Sequence, residues 1–155
     1  MSEVQELLEP ELHNKGVELD LTLDYRNDIK LDQVKMKRAI LNLARNAAEA
    51  MGPHGKFTIH VSLVPEGESE LLHEEHVLMA LSDTGPGIPL EIRDRLFESF
   101  VTQGKKDGTG LGLAIVEKIV TDHGGVITFE TESGVGTTFL IRLPRNHQSI
   151  TTTDS

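Results

Sequence analysis

The segment Asp83-Thr84-Gly85-Pro86-Gly87-Ile88 places a carboxylate directly in front of a turn constrained by two glycines and by Pro86 and Pro89. Glycine reaches positive φ without a Cβ clash and lets a ligand approach the main chain, while proline fixes φ. A carboxylate held there, at the end of the apolar run Val77-Leu78-Met79-Ala80-Leu81, can accept a hydrogen bond from an exocyclic amine. A turn-capping Asp in a surface loop is the alternative use of the same residues. Upstream, Asn42, Arg45, Asn46 and Glu49 share one stripe of a helical stretch, roughly opposite the apolar Met36, Ile40, Leu43 and Ala47. Asn side-chain oxygens are neutral hard ligands for Mg²⁺, which keeps several waters and completes its octahedron with substrate phosphates. Asn46 fits that use. Downstream, Gly108-Thr109-Gly110-Leu111-Gly112-Leu113 opens a further helix and frees backbone amides where the dipole attracts anions such as phosphate.

The spacing of those glycines excludes two familiar nucleotide motifs. G-x-G-x-G after a polar loop is not a dinucleotide fingerprint, and Gly104-Lys105 does not continue as Gly-Lys-Ser/Thr. Lys105 and Lys106 lie in that loop, within reach of phosphate oxygens, although exposed lysines also serve solubility alone. Phe97 and Phe100, two of five phenylalanines, can anchor the start of a closing loop or pack in the core. Thr137, after Gly134 and Gly136, can face a base pocket. Seven histidines include His73-x-x-His76, but with no cysteine and no third ligand nearby a zinc site is not expected.

Elements must position these groups. An amphipathic helix over residues 1–15 ends at Gly16 and is followed by an alternating strand over 17–23. Asp32 is the expected N-cap of a long helix running to Met51, where Gly52, Pro53 and Gly55 stop it. A strand over 57–64, a glutamate-rich hairpin loop over 65–76 and the strand leading to Asp83 come next. A short helical pattern over 90–100 precedes a polar loop over 101–109, expected to be mobile. The helix over 110–123 should bury Leu111, Ile115, Val116, Ile119 and Val120 and stop at Gly124-Gly125. Strands follow near 126–131 and 138–143. This order predicts an α+β fold, a two-layer α/β sandwich whose mixed, about five-stranded sheet packs on about three helices. Residues 1–145 form one domain and 146–155 a disordered tail.

Composition narrows the class. The 155 residues, 37% of them apolar, suit one ordinary globular domain. A net charge of −10 and no basic run longer than Lys105-Lys106 disfavour a nucleic-acid partner. Zero cysteines suit a reducing compartment. No apolar stretch approaches the roughly 18 residues of a membrane span, and no signal peptide is present, so a cytoplasmic domain without direct membrane contact is expected.

Taken in order, Asn42-x-x-x-Asn46, Asp83-x-Gly85-x-Gly87, Leu96-Phe97-x-x-Phe100, Gly108-x-Gly110-Leu111-Gly112-Leu113 and Gly134-x-Gly136-Thr137 resemble the asparagine, phenylalanine and glycine boxes of sensor histidine kinases. The match spans residues 31–144. The resemblance implies the Bergerat-type sandwich of the superfamily shared with DNA gyrase, with ATP and Mg²⁺ between the long helix and a flexible lid. It makes Asp83 the acceptor for the adenine amine, Asn46 the Mg²⁺ ligand and Asn42 a support on the phosphate side. Gly108, Thr109, Gly110, Leu111, Gly112 and Leu113 form the phosphate-facing end of the lid, and Gly85, Gly87, Ile88 and Thr137 shape the base pocket. Glu49-Ala50 replaces the Lys or His found there in many such kinases, so Lys105 or Arg45 is expected to reach the γ-phosphate instead.

Hydrolysing members of the superfamily carry a glutamate base four residues before the metal asparagine, where this chain has Asn42. The resemblance therefore implies ATP held intact for transfer to a histidine. That histidine belongs to a separate phosphoacceptor domain of the same parent kinase, and a response regulator lies downstream. The alternatives are an anti-sigma-type serine kinase and a non-catalytic nucleotide-binding module. Because the phosphoacceptor hairpin is missing, a fragment or an unusually short kinase, monomeric in isolation, is expected.

Overall fold

The computed structural model describes residues 2–25, 31–98 and 112–145. The expectations for the loop over 101–109, for Phe100, Lys105, Gly108, Thr109, Gly110 and Leu111, and for the tail over 146–155 lie outside the described residues.

Helix α1, Ser2–Asn14, buries Val4, Leu8 and Leu12, and Gly16 at φ +74° turns the chain into β1, Glu18–Leu23. Asp32 then adopts extended backbone, and its carboxylate accepts the Lys35 N–H at 3.0 Å. Such a cap stabilises a helix by about 1 kcal/mol. The helix it starts, α2 (Gln33–Met51), buries Met36, Ala39, Ile40, Leu43, Ala44, Ala47 and Ala48, one stripe at helical spacing. Each fully buried Ile or Leu on it contributes about 1.5–3 kcal/mol relative to exposure. Gly52 at φ +71° ends α2.

Strands β2 (Lys56–Val64) and β3 (His76–Asp83) form the expected hairpin. The helical pattern expected over 90–100 is realised, within the described residues, as a 3-10 helix, Leu90–Arg95. None of its residues is buried, so no apolar stripe supports a longer α-helix there. Helix α3, Gly112–Asp122, leads to β4, Val126–Glu132, and β5, Gly136–Pro144.

The five strands form one mixed sheet in the order β1-β2-β3-β5-β4, with β1 parallel to β2 and the other pairs antiparallel. Phe57, Ile59, Val61, Val77, Met79, Leu81, Phe139, Ile141 and Leu143 alternate inward and join the helices in one core. The residues between them, such as Thr58, His60, Ser82 and Thr138, point to the other face. Both layers of the expected sandwich are therefore present. No described helix is long and apolar enough to cross a membrane.

Two buried histidines act as joints, a role that their spacing in sequence did not reveal. His123, 2% exposed, donates from Nδ1 to the Ile119 carbonyl at 2.8 Å and accepts the Asp32 N–H on Nε2 at 2.9 Å. It thereby fastens the end of α3 to the start of α2. His76, fully buried, lies between the Glu74 carbonyl and the Arg142 guanidinium.

Candidate functional site

At one end of the sheet the register aligns Phe57, Asp83, Thr137 and Thr131 across β2, β3, β5 and β4. Because side chains alternate, all four share the helix-facing side. Phe57, Asp83 and Thr137 floor a pocket of about 250 Å³ beneath α2. Its helix wall is Leu43, Asn46, Ala47 and Ala50, and its sheet wall includes Phe57, Leu81, Asp83, Thr137 and Phe139. The turn after β3 supplies Pro86, Gly87, Ile88 and Pro89, and Leu113 closes the side toward α3. Asn46, Asp83 and Thr137 are the polar side chains of an otherwise apolar lining. A few convergent polar groups in an apolar slot suit a flat ligand that carries hydrogen-bonding edges.

The carboxylate is fixed rather than merely present. Asp83 Oδ1 accepts the Gly85 N–H at 2.9 Å and the Thr137 N–H at 3.2 Å. An ionised carboxylate has about four acceptor positions, so this anchoring is compatible with a further donor from a ligand amine. The strand carrying Thr137 comes very close: Gly136 has φ +153°, and a Cβ there would overlap the Asp83 carbonyl oxygen. Only glycine permits this approach. Gly87, at φ +91°, is also close-packed, since a Cβ would lie 2.9 Å from the Glu132 carbonyl oxygen.

The rest of the turn is held by β4, the turn after it, the start of β2 and the end of α2. Ile88 N–H donates to Thr131 Oγ1 at 2.9 Å, and Gly134 N–H donates to the Pro86 carbonyl at 2.9 Å. Thr84 accepts the Lys56 N–H on Oγ1 at 3.1 Å and places its own N–H 3.3 Å from the Met51 thioether. Met51 ends α2, so the turn is fastened to the helix that carries Asn46. Phe97 packs edge-on against Phe129 and Phe139, with centroids 6.2 and 6.3 Å away, and ties the segment after the 3-10 helix to β4 and β5.

The structure thus brings Asn46, Asp83, Gly87, Ile88, Leu113 and Thr137 into one pocket, with Gly85 buried behind Asp83 and Gly112 opening α3. Asn42 is half-buried on α2 and is not among the lining residues. Arg45 is directed elsewhere: its Nη2 donates to Glu11 Oε1 on α1 at 2.6 Å. That hydrogen bond holds the Glu11 carboxyl below its ordinary value and the Arg45 guanidinium above its own. The motif reading missed the apolar walls, Leu43, Ala47, Phe57, Leu81 and Phe139, although the helical and strand periodicities already marked most of them as inward. Among the described residues no group of three or more His, Cys, Asp or Glu is disposed to hold a metal ion. The donor set suits a cation that brings water and phosphate oxygens with it and takes one neutral oxygen from Asn46.

Comparison with known proteins bears directly on this arrangement. Residues 31–147 match the family described as histidine kinase-, DNA gyrase B-, and HSP90-like ATPase. The chain belongs to this family. Among its relatives, the sensor kinase CckA of Brucella abortus (strain 2308) is 37% identical over 142 residues, covering 84% of this chain and 15% of CckA. The nucleotide-free catalytic domain of the histidine kinase ThkA superposes with a TM-score of 0.78 at 30% identity, covering 96% of this chain and 91% of that one. Full-length ShkA in complex with AMPPNP gives 0.75 at 32% identity, covering 92% of this chain and 28% of ShkA. The chain likewise spans only 28% of the sensor histidine kinase ZraS of Escherichia coli (strain K12), so it corresponds to a minor part of these relatives' length. It is a catalytic ATPase domain of the sensor histidine kinase type.

Proposed function

We propose that this domain binds Mg-ATP and donates the γ-phosphoryl group to a histidine on a separate phosphoacceptor domain of its parent kinase, with a response regulator downstream. The observation that carries the reading is Asp83, fixed by two backbone amides in an apolar pocket that Asn46 borders. Asp83 accepts the amine of the base, Gly85, Gly87 and Ile88 shape its slot, and Asn46 gives an oxygen to Mg²⁺. When bound, Mg²⁺ neutralises phosphate charge and orients the transferring group. Asn42 supports the phosphate side, and the segment from Gly108 to Leu113 with Lys105 faces the phosphates. Phosphoryl transfer asks the protein mainly for positioning and charge stabilisation, which these groups provide. With Asn42 where hydrolysing relatives carry a glutamate, the domain holds ATP for transfer instead of spending it on water. It works in the cytoplasm as a monomer until its acceptor domain is present.

The test mixes the chain, Mg-ATP and the phosphoacceptor domain of a sensor kinase. Acid-labile, alkali-stable phosphate on the acceptor histidine is the expected product, with little ATP hydrolysis when the acceptor is left out. ATP binding with no phosphate on any acceptor domain would refute the transfer reading and leave a binding module.

A further inference from the structure

Thr131 belongs to none of the five motifs, yet it stands at the centre of the base pocket's hydrogen-bond network. It lies on β4 opposite Thr137, which lies opposite Asp83. Its Oγ1 accepts the Ile88 N–H at 2.9 Å, lies 2.9 Å from Thr137 Oγ1 and lies 3.4 Å from the Gly136 carbonyl. A hydroxyl has one hydrogen to give. Sent to Gly136 it makes a long contact, and Thr137 must then spend its own hydrogen on Thr131, leaving only acceptors on the pocket floor. Sent to Thr137 it makes the shorter bond and leaves the Thr137 hydrogen for the pocket.

We propose that Thr131 is a positioning residue that gives its hydrogen to Thr137 and so sets the polarity of the pocket floor, an acceptor at Asp83 beside a donor at Thr137. This inference rests on the nucleotide reading above and deepens it. A 6-aminopurine presents an amino donor beside a ring-nitrogen acceptor, the complement of that floor. A 6-oxopurine presents an acceptor beside an N–H donor, the reverse. Discrimination between the two purines then depends on a residue that touches neither, because a wrongly paired buried polar group costs more than a missing attraction gains. The same Thr131 oxygen holds the Ile88 amide, so the turn and the floor are set by one side chain.

The experiment compares Mg-ATP with Mg-ITP, its 6-oxo analogue, by titration calorimetry on wild type, Thr131→Val and Thr131→Ser. Valine keeps the branched shape and strand preference while removing both hydrogen-bonding functions. The expected result is a loss of about tenfold in ATP affinity for Thr131→Val with a much smaller loss for ITP, so that the preference shrinks, and a preference restored in Thr131→Ser. A Thr131→Val protein with the wild-type ATP-to-ITP ratio would overturn the proposal, whatever its absolute affinity. If valine prevents folding, Thr131→Ala carries the same two readings. A wild type that fails to bind Mg-ATP refutes the nucleotide reading itself, whereas a binding wild type with an unmoved ratio in the variant refutes this inference alone.

Discussion

Replacing Asp83 with Asn separates what that side chain does for the fold from what it does for a ligand. The structure gives Oδ1 two backbone amides, Gly85 N–H at 2.9 Å and Thr137 N–H at 3.2 Å. An Asn carbonyl oxygen can keep both, which turns the amide NH₂ toward the ligand amine, donor against donor. The fold loses little: the melting temperature should stay within roughly 3 °C of wild type, since about 1 kcal/mol corresponds to about 2–4 °C in a chain of this size. Binding loses a charge-assisted hydrogen bond of about 1.5–3 kcal/mol. At about 1.4 kcal/mol per decade, the Mg-ATP dissociation constant should rise roughly tenfold to a hundredfold. Titration calorimetry at fixed Mg²⁺, with a thermal melt of each protein, reads both quantities. An affinity within about threefold of wild type would remove Asp83 from base recognition, because about 0.7 kcal/mol is less than any charged hydrogen bond contributes. A large melting shift with unchanged affinity would make it a structural cap only.

Three further outcomes follow from other contacts. Gly136→Ala forces a Cβ into the Asp83 carbonyl at φ +153°, an overlap with backbone that no side-chain rotation relieves. It should abolish measurable ATP binding and lower the melting temperature by about 5 °C or more, whereas Gly134→Ala, with open space at its Cβ but φ +79°, should cost only backbone strain. Arg45→Ala should leave ATP affinity within about twofold, since Arg45 faces Glu11 and the exposed pair contributes at most about 1 kcal/mol. The Arg45 hydrogen bond keeps the folded Glu11 carboxyl below its ordinary 4.5, so this small stabilisation is complete above that value and lost as pH falls through the lowered one. Urea titrations of wild type and Arg45→Ala should differ slightly at pH 7 and converge at low pH. His123→Ala removes a buried side chain and strips the half-buried Asp32 amide of its acceptor, which should cost about 2–3 kcal/mol by urea titration.

Much of this architecture could be read from residue type and spacing. Asp32, Gly16 and Gly52 bound their helices as expected, because caps and left-handed glycines act through neighbours a few positions away. The alternation in β2, β3 and β5 fixed which side chains face inward, and with it the pocket floor. The short helical pattern after Pro89 is realised as the 3-10 helix Leu90–Arg95, since helical spacing without a buried face does not sustain a longer α-helix. Arg45, expected as one of two candidates for the γ-phosphate contact, donates instead to Glu11 in this structure. It shares a polar stripe with Asn46, but a stripe at about 100° per residue spans more than one neighbour, and α1 lies across its far edge.

What escaped the sequence is long-range and polar. Thr131 meets Ile88 across 43 residues, His123 meets Asp32 across 91, and Met51 meets Thr84 across 33. Nothing in the local pattern of a threonine, histidine or methionine says which distant amide it will satisfy, because that depends on strand order and helix crossing. Yet the threonine and methionine contacts fasten the turn after Asp83 to β4 and to the end of α2, the histidine contact joins α3 to α2, and phosphoryl transfer depends on positioning more than on covalent chemistry. The motifs name the groups proposed to touch a nucleotide. The threonine, histidine and methionine outside the motifs join the elements that carry those groups, so substitutions at Thr131 and His123 should alter binding and stability without altering any motif residue.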